Sequence, residues 1–246
     1  MIKIIIHITK FIIATITALL FTSCNFVDKM NSIEGSGNVT TEKRIVQGDF
    51  KNVSVSNAID LVIEQSDSTE ITVEADDNLQ KEIITTVENG TLVIKCKFNS
   101  FNNVTMKKVT VKMPFINKLE ASSASSVQTK NVIQSQNISL ETSSAATMDV
   151  NVESDNITCD SGSGSTINIE GKALKFKTSA ASGASIDAQK LLANEVEADA
   201  SSGGSVSVHP ILSLKADASS GGSVNYDTSP KKIERTSSSG GSVSQG

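Results

Sequence analysis

Serine beside glycine is a common setting for a hydrolase nucleophile. The chain offers it repeatedly, as Ser201-Ser202-Gly203-Gly204-Ser205-Val206, Ser219-Ser220-Gly221-Gly222-Ser223-Val224 and Ser238-Ser239-Gly240-Gly241-Ser242-Val243. Such a serine needs a neighbouring base and an elbow that exposes its oxygen. The Gly-x-Ser-x-Gly elbow is absent, and beyond the N-terminal leader the only histidine is His209, beside Pro210 in an expected turn. Carboxylates are the second candidates. Asp160, Lys177, Asp199 and Asp217 fall on one outward column of the repeat described below, and clustered carboxylates beside a cation are what cleavage of a glycosidic bond would use. Their fit to a regular repeat favours decoration of a surface over a reaction centre. Cys96 and Cys159 fall on inward positions. They read as buried free thiols, with a Cys96–Cys159 disulfide as the alternative in an oxidising compartment. No Cys/His cluster has metal-ligand spacing, and the glycine pairs lack both the aspartates of calcium-binding nonapeptides and the Lys-Ser or Lys-Thr of a phosphate loop. The expected catalytic, cofactor and metal sites are therefore none.

The elements that carry these residues repeat. Softer copies of the Ser/Gly stretch lie upstream at Ser123-Ala124-Ser125-Ser126-Val127, Ser144-Ala145-Ala146-Thr147-Met148, Ser163-Gly164-Ser165-Thr166-Ile167 and Ser182-Gly183-Ala184-Ser185-Ile186. The closing apolar residues stand at 127, 148, 167, 186, 206, 224 and 243, at intervals of 21, 19, 19, 20, 18 and 19. Short alternating runs precede each stretch, such as Ile157-Thr-Cys159 and Leu214-Lys-Ala216, and others follow it, such as Ile167-Asn-Ile169 and Val206-Ser-Val208. Period-two alternation means a strand with one buried face. A unit this short, without helical periodicity, is one coil of a parallel β-helix rather than a propeller blade. The expected fold is all-β, with about 19 residues per coil. One inward column is expected to read Leu119, Ile138, Ile157, Leu174, Val196, Leu214, Ile233, and a second outward column Lys175, Glu197, Lys215, Glu234. Ser and Gly suit the corners because a tight reversal beside identical neighbours wants positive φ and little bulk.

Upstream the strands are less regular. Residues 50–55, 59–63 and 71–75 alternate, Asn78 to Glu82 suits a short helical turn, and Val109 to Met113 is a strand ended by Pro114. Asn89-Gly90 between two alternating runs is the strongest hairpin signal in the chain. These segments are expected to open the same helix and blunt its first edge. At the other end, Lys231, Lys232 and Arg235 put charge on the last coil, which discourages strand addition and favours a monomer.

Residues 1–23 carry Lys3 and Lys10 and then the apolar run Phe11 to Phe21, too short to span a bilayer and typical of a signal peptide. Thr22-Ser23-Cys24 resembles a bacterial lipobox, which implies cleavage before Cys24, lipid on its sulfur and a tether over 24–34. Phe21 departs from the usual leucine, and an ordinary signal peptide ending nearby is the alternative. Gly35-Ser-Gly-Asn38, Phe50-x-x-Val53-x-Val55, the Asn89-Gly-Thr-Leu92 hairpin and the Ser/Gly coils together resemble the auto-transporter adhesin head GIN domain family of Bacteroidetes lipoproteins, over residues 35–246. The division expected is an irregular part, 35–118, and regular repeats, 119–246. The resemblance implies a right-handed parallel β-helix, a solenoid, at the cell surface or in the periplasm, with no established catalytic residues to carry over. No membrane barrel follows Gly246, so self-secretion of the autotransporter kind is not expected.

A net charge of −5 argues against a nucleic-acid partner, and 4% aromatics with no Trp argue against a roomy cofactor pocket. Asp67-Ser68-Thr69 resembles the O-glycosylation acceptor of Bacteroidetes exported proteins, which would make Ser68 the acceptor; a plain turn is the preferred reading. The function expected is that of a non-enzymatic, lipid-anchored envelope protein, more at the outer membrane than the inner, that binds a protein or glycan as an adhesin or scaffold. A carbohydrate-active β-helix enzyme is the alternative, on fold analogy alone.

Overall fold

The computed structural model describes residues 32–246. The expected leader, the Cys24 anchor and most of the tether lie outside the described residues. Among the described residues the protein is all-β, a parallel solenoid of about 7 turns with roughly 19 residues per coil. In chain order the strands are β1 (Ser32–Glu34), β2 (Val39–Arg44), β3 (Asn52–Val55), β4 (Asp60–Gln65), β5 (Glu70–Asp76), β6 (Ile83–Glu88), β7 (Thr91–Cys96), β8 (Ser100–Asn102) and β9 (Lys107–Met113). Then come β10 (Lys118–Ala121), β11 (Ser126–Thr129), β12 (Ile133–Thr142), β13 (Thr147–Ser161), β14 (Thr166–Ala180), β15 (Ser185–Ala200), β16 (Ser205–Ala218), β17 (Ser223–Tyr226), β18 (Lys232–Ser237) and β19 (Ser242–Gln245).

Each regular coil has three faces, and each face buries one side of its strand. On the first, inward columns run Val53–Leu119–Leu140–Cys159–Thr178–Ala198–Ala216 and Ile138–Ile157–Phe176–Val196–Leu214–Ile233. On the second, the column is Val109–Leu61–Val127–Met148–Ile167–Ile186–Val206–Val224–Val243. Most of these side chains are fully buried, and each large one contributes roughly 1.5–3 kcal/mol of transfer free energy.

The expected inward column needs two corrections. Leu119 stands over Leu140 rather than Ile138, because the first coil is longer than its successors. Leu174 is 53% exposed while Phe176 fills its place against Ile157 and Val196. The cause is the corner at which the third face, with its inward column Ile133–Val152–Gly171–Leu191, meets the first. There the chain turns two consecutive residues outward, Leu174 and Lys175, so the inside–outside alternation loses its phase. The outward columns shift with it. Lys177, not Lys175, stacks on Glu197, Lys215 and Glu234, and Ser179, not Lys177, stands between Asp160 and Asp199.

The corner between the first and second faces explains the Ser/Gly signal. Ser220 and Gly221 both take left-handed backbones, with φ of 50° and 75°, and the turn closes from Gly222 N–H to Ser219 O at 2.8 Å. That is a type I′ geometry. The paired left-handed residues turn their peptide around, so Gly221 N–H donates forward to Ser239 O at 3.2 Å, while Ser219 N–H donates back to Ala200 O at 2.9 Å. The same alternation recurs from coil to coil, so the hydrogen-bond ladder continues through the bend. The innermost corner position is Ser125, Ala146, Ser165 or Ala184 in earlier coils, and the serine hydroxyls are satisfied inside, Ser165 donating to Gly162 O at 2.7 Å. In the last three coils it is glycine, and there the turn closes at 2.8 Å against 3.2–3.3 Å for the earlier Ser and Ala corners.

The N-terminal part blunts the first edge as expected. β3 and β4 stack in parallel on β10 and β11 and, on their other side, on β7 and β9. Antiparallel β6 and β5 cover β7 and β9, with β2 outside β5. The Asn89-Gly90 hairpin forms between β6 and β7. Asn78 to Glu82 makes hydrogen-bonded turns, including Ile83 N–H to Leu79 O at 3.0 Å, without becoming a helix. Asp76 anchors the start of the domain. Its buried carboxylate accepts from the backbone of Gly37 at 3.0 Å, Thr105 at 3.2 Å and Met106 at 3.0 Å. Burial works against its charge, but these donors outweigh it and hold the carboxyl below its ordinary value. A Cβ on Gly35 would lie 2.4 Å from Asp76 Oδ2, which is why the segment opens with glycine.

The two corner glycines should respond differently to alanine. A Cβ on Gly221 meets nothing within 4 Å, whereas one on Gly222 would sit 2.4 Å from Ala200 O. Gly221→Ala should cost ~1 kcal/mol for its left-handed backbone, and Gly222→Ala about 3 kcal/mol because backbone must move. In thermal unfolding the second melting temperature should fall about three times as far as the first. Equal losses would contradict the stacked corner.

Candidate functional site

Two external features follow from this register. The first is a carboxylate ladder on the first face, Glu120–Glu141–Asp160–Ser179–Asp199–Asp217. Lys118 bridges two of its members, at 2.7 Å from Glu141 and 3.5 Å from Glu120. In the neighbouring column Glu197 stands between Lys177 and Lys215, at 3.6 Å from each. Partial burial raises the Asp199 carboxyl, and the charges of Asp217 and Glu197 push the same way. Asp160 is also raised, by burial first and Glu141 second. Asp160, Asp199 and Asp217 thus share a column as expected, while Lys177 does not. These carboxylates lie side by side on a flat sheet and point the same way, whereas glycosidases set theirs on opposite sides of the scissile bond.

The second feature is a groove of about 1350 Å³ along the corner between the third and first faces. Its floor column is Gln136, Asp155 and Leu174, with Phe115 at one end and Leu192 and Ile211 at the other. The chain can bend there because Ser135 donates to Asn137 O at 2.9 Å and Ser154 to Asn156 O at 3.1 Å, which caps the turn. Asn156 Nδ2 donates to Asn137 Oδ1 at 2.9 Å, which ties two coils together along one wall. Glu153 and Lys172 pair at 3.3 Å on the other. Phe115 is 63% exposed, with the Lys51 ammonium 5.6 Å from its ring centre. Sequence reasoning missed this groove. The available signal was Ser135-Gln-Asn137 recurring as Ser154-Asp-Asn156, a second repeat in phase with the Ser/Gly corners.

A family model for the "putative auto-transporter adhesin, head GIN domain" matches residues 49–230. The chain belongs to the head GIN domain family. Among solved structures, the domain resembles a putative adhesin from Bacteroides fragilis at 20% identity and a TM-score of 0.79, covering 87% of this chain and 99% of that one. Similar are a putative lipid binding protein from Parabacteroides distasonis, at 21% identity and a TM-score of 0.72, and a putative adhesin from the same species, at 24% and 0.71; each alignment again covers 87% of this chain and 99% of the other. At these identities the likeness speaks for the fold. No curated protein matches the chain.

The other candidate residues of this head GIN domain are scattered. His209 pairs with Asp227 at 3.0 Å on the surface. Ser68 is exposed at the bend between β4 and β5. Cys96 and Cys159 are free and buried. The stack Leu92, Val53, Leu119, Leu140, Cys159 takes four steps of ~4.8 Å, which leaves the thiols roughly 19 Å apart along the axis and beyond disulfide reach. Burial raises both thiols, Cys159 well above its ordinary value. Lys107 is buried against the Phe101 ring, 3.0 Å from its centre, and donates to Asn57 O at 2.9 Å. Burial lowers it to about 8.

The carboxylate ladder has a measurable cost. A carboxyl raised in the folded state binds its proton more tightly there, so Asp199 opposes folding once pH exceeds its unfolded value, and that penalty disappears as pH falls below it. Asp199→Asn should therefore melt higher than the parent at pH 7, and the two should converge near pH 3. A lower melting temperature at pH 7 would mean that the carboxylate makes a stabilising contact.

Proposed function

We propose that this head GIN domain is a non-enzymatic interaction module of the cell envelope, lipid-anchored through Cys24, that binds a protein or glycan along its side. The reading rests on one observation above others: the corner groove is a concave surface of about 1350 Å³, and the carboxyls raised above their ordinary value, Asp160 and Asp199, lie outside it. A rigid stack suits recognition because its surface need not be ordered on binding. The family description as adhesin and the structural relatives described as adhesins support the same reading. Lipid at Cys24 would hold the N-terminal end at the outer membrane. At the far end, Lys231, Lys232 and Arg235 favour a monomer, with Arg235 Nη1 donating to the Tyr226 hydroxyl at 3.0 Å.

A second reading, carbohydrate cleavage, draws on the raised Asp199 beside Asp217, since perturbed carboxylates gather at active sites. The two separate in one assay. Purified protein incubated with envelope and dietary polysaccharides should retain glycan or protein ligands without releasing reducing ends, and Asp199→Ala should bind as the parent does. Reducing-end release that disappears in Asp199→Ala would replace the module by an enzyme.

A further inference from the structure

We infer that the corner groove is a binding site for a neutral, linear oligosaccharide lying parallel to the solenoid axis. The inference rests on the interaction-module reading and names its ligand and site.

The lining selects the ligand by exclusion. Strands on both sides of the corner are already paired with the coils above and below, from Gln134–Glu153–Lys172 on one side to Asn137–Asn156–Lys175 on the other. A peptide could not add as a strand here, because no unpaired edge faces the groove. An acyl chain would want an unbroken apolar floor, and Gln136 and Asp155 interrupt it between Phe115 and Leu174. Glu153 and Asp155 oppose a polyanion, while Lys172 neutralises Glu153 and leaves little net charge to draw a polycation.

What remains is a ligand that both donates and accepts hydrogen bonds and carries apolar patches. The amides of Gln134 and Gln136 can do both, and the Asp155 carboxylate accepts; all three residues are exposed at the groove. Phe115 and Leu174 offer apolar surface for the C–H faces of sugar rings, at the two ends of the polar stretch. Corner residues recur once per coil, so Phe115, Gln136, Asp155 and Leu174 are spaced by ~4.8 Å and span roughly 14 Å. A pyranose ring is of similar length to one coil, so successive sugars meet successive corner residues. The site would hold about three to four rings.

The test uses cello-, xylo- and manno-oligosaccharides of graded length with the full domain, by calorimetry. For at least one series, affinity should rise with length to about four rings and then level. Gln136→Ala and Asp155→Ala, both exposed and expected to melt as the parent, should each weaken binding about tenfold, the loss of one hydrogen bond. Asp217→Ala, on the carboxylate ladder, should bind normally. Binding that survives both groove substitutions would move the site and overturn the inference while leaving the module intact. Retention of none of these sugars would also overturn it. Release of reducing ends during the titration would instead overturn the non-enzymatic reading on which it rests.

Discussion

The corner between the first and second faces is the constraint on which the molecule depends. Two left-handed residues turn one peptide around, and the residue that follows packs directly on a carbonyl of the coil before it. Neither requirement can be met at arbitrary spacing. Once one corner stacks on the next, the strands leaving it on both sides are fixed in register, and every inward and outward column follows. The ladder of backbone hydrogen bonds runs through the bend instead of ending at it, so the corner satisfies the groups that a loop would have to expose to water.

From that register comes the division of labour around the coil. The inside is a set of aliphatic columns with few aromatic members, which keeps the cross-section nearly constant along the axis. Small inward residues at the Ser/Gly corner, serine or alanine in the first four coils and glycine in the last three, tune how sharply the chain reverses. The outside of the first face carries two kinds of column, one in which Lys177, Glu197, Lys215 and Glu234 alternate in sign and one of stacked carboxylates. The third corner is the exception. It turns two residues outward in succession, and there the surface becomes concave, with amides and apolar side chains brought side by side.

Much of this was legible in the chain itself. The seven closing residues from Val127 to Val243 gave the coil length, and Asn89-Gly90 gave the one tight hairpin. What could not be read was the phase of the pattern through the third corner. Leu174-Lys-Phe176 alternates perfectly, and nothing in that alternation says that Leu174 lies before the bend and Phe176 after it. The error carried Lys177 into the wrong column, and with it the idea of a carboxylate–lysine cluster. The groove was invisible for the same reason, since it exists only where two outward residues succeed each other. Gly35 and Asp76 show another limit: they are far apart in sequence, and only the folded chain reveals that one must be small because the other's carboxylate lies against it.

The register of the fourth coil is the claim that most directly carries the rest. It can be tested by cross-linking on the outer surface, in a background with the native cysteines replaced by alanine or serine. Stacked neighbours lie within disulfide reach, and Thr158 stacks on Lys177. On mild oxidation, the Thr158→Cys/Lys177→Cys pair should therefore close a disulfide rapidly, while Thr158→Cys/Lys175→Cys should not. Preferential closure of the second pair would set Leu174 against Ile157 and Phe176 against Cys159, with both side chains inside, and would contradict the account of both the core and the groove.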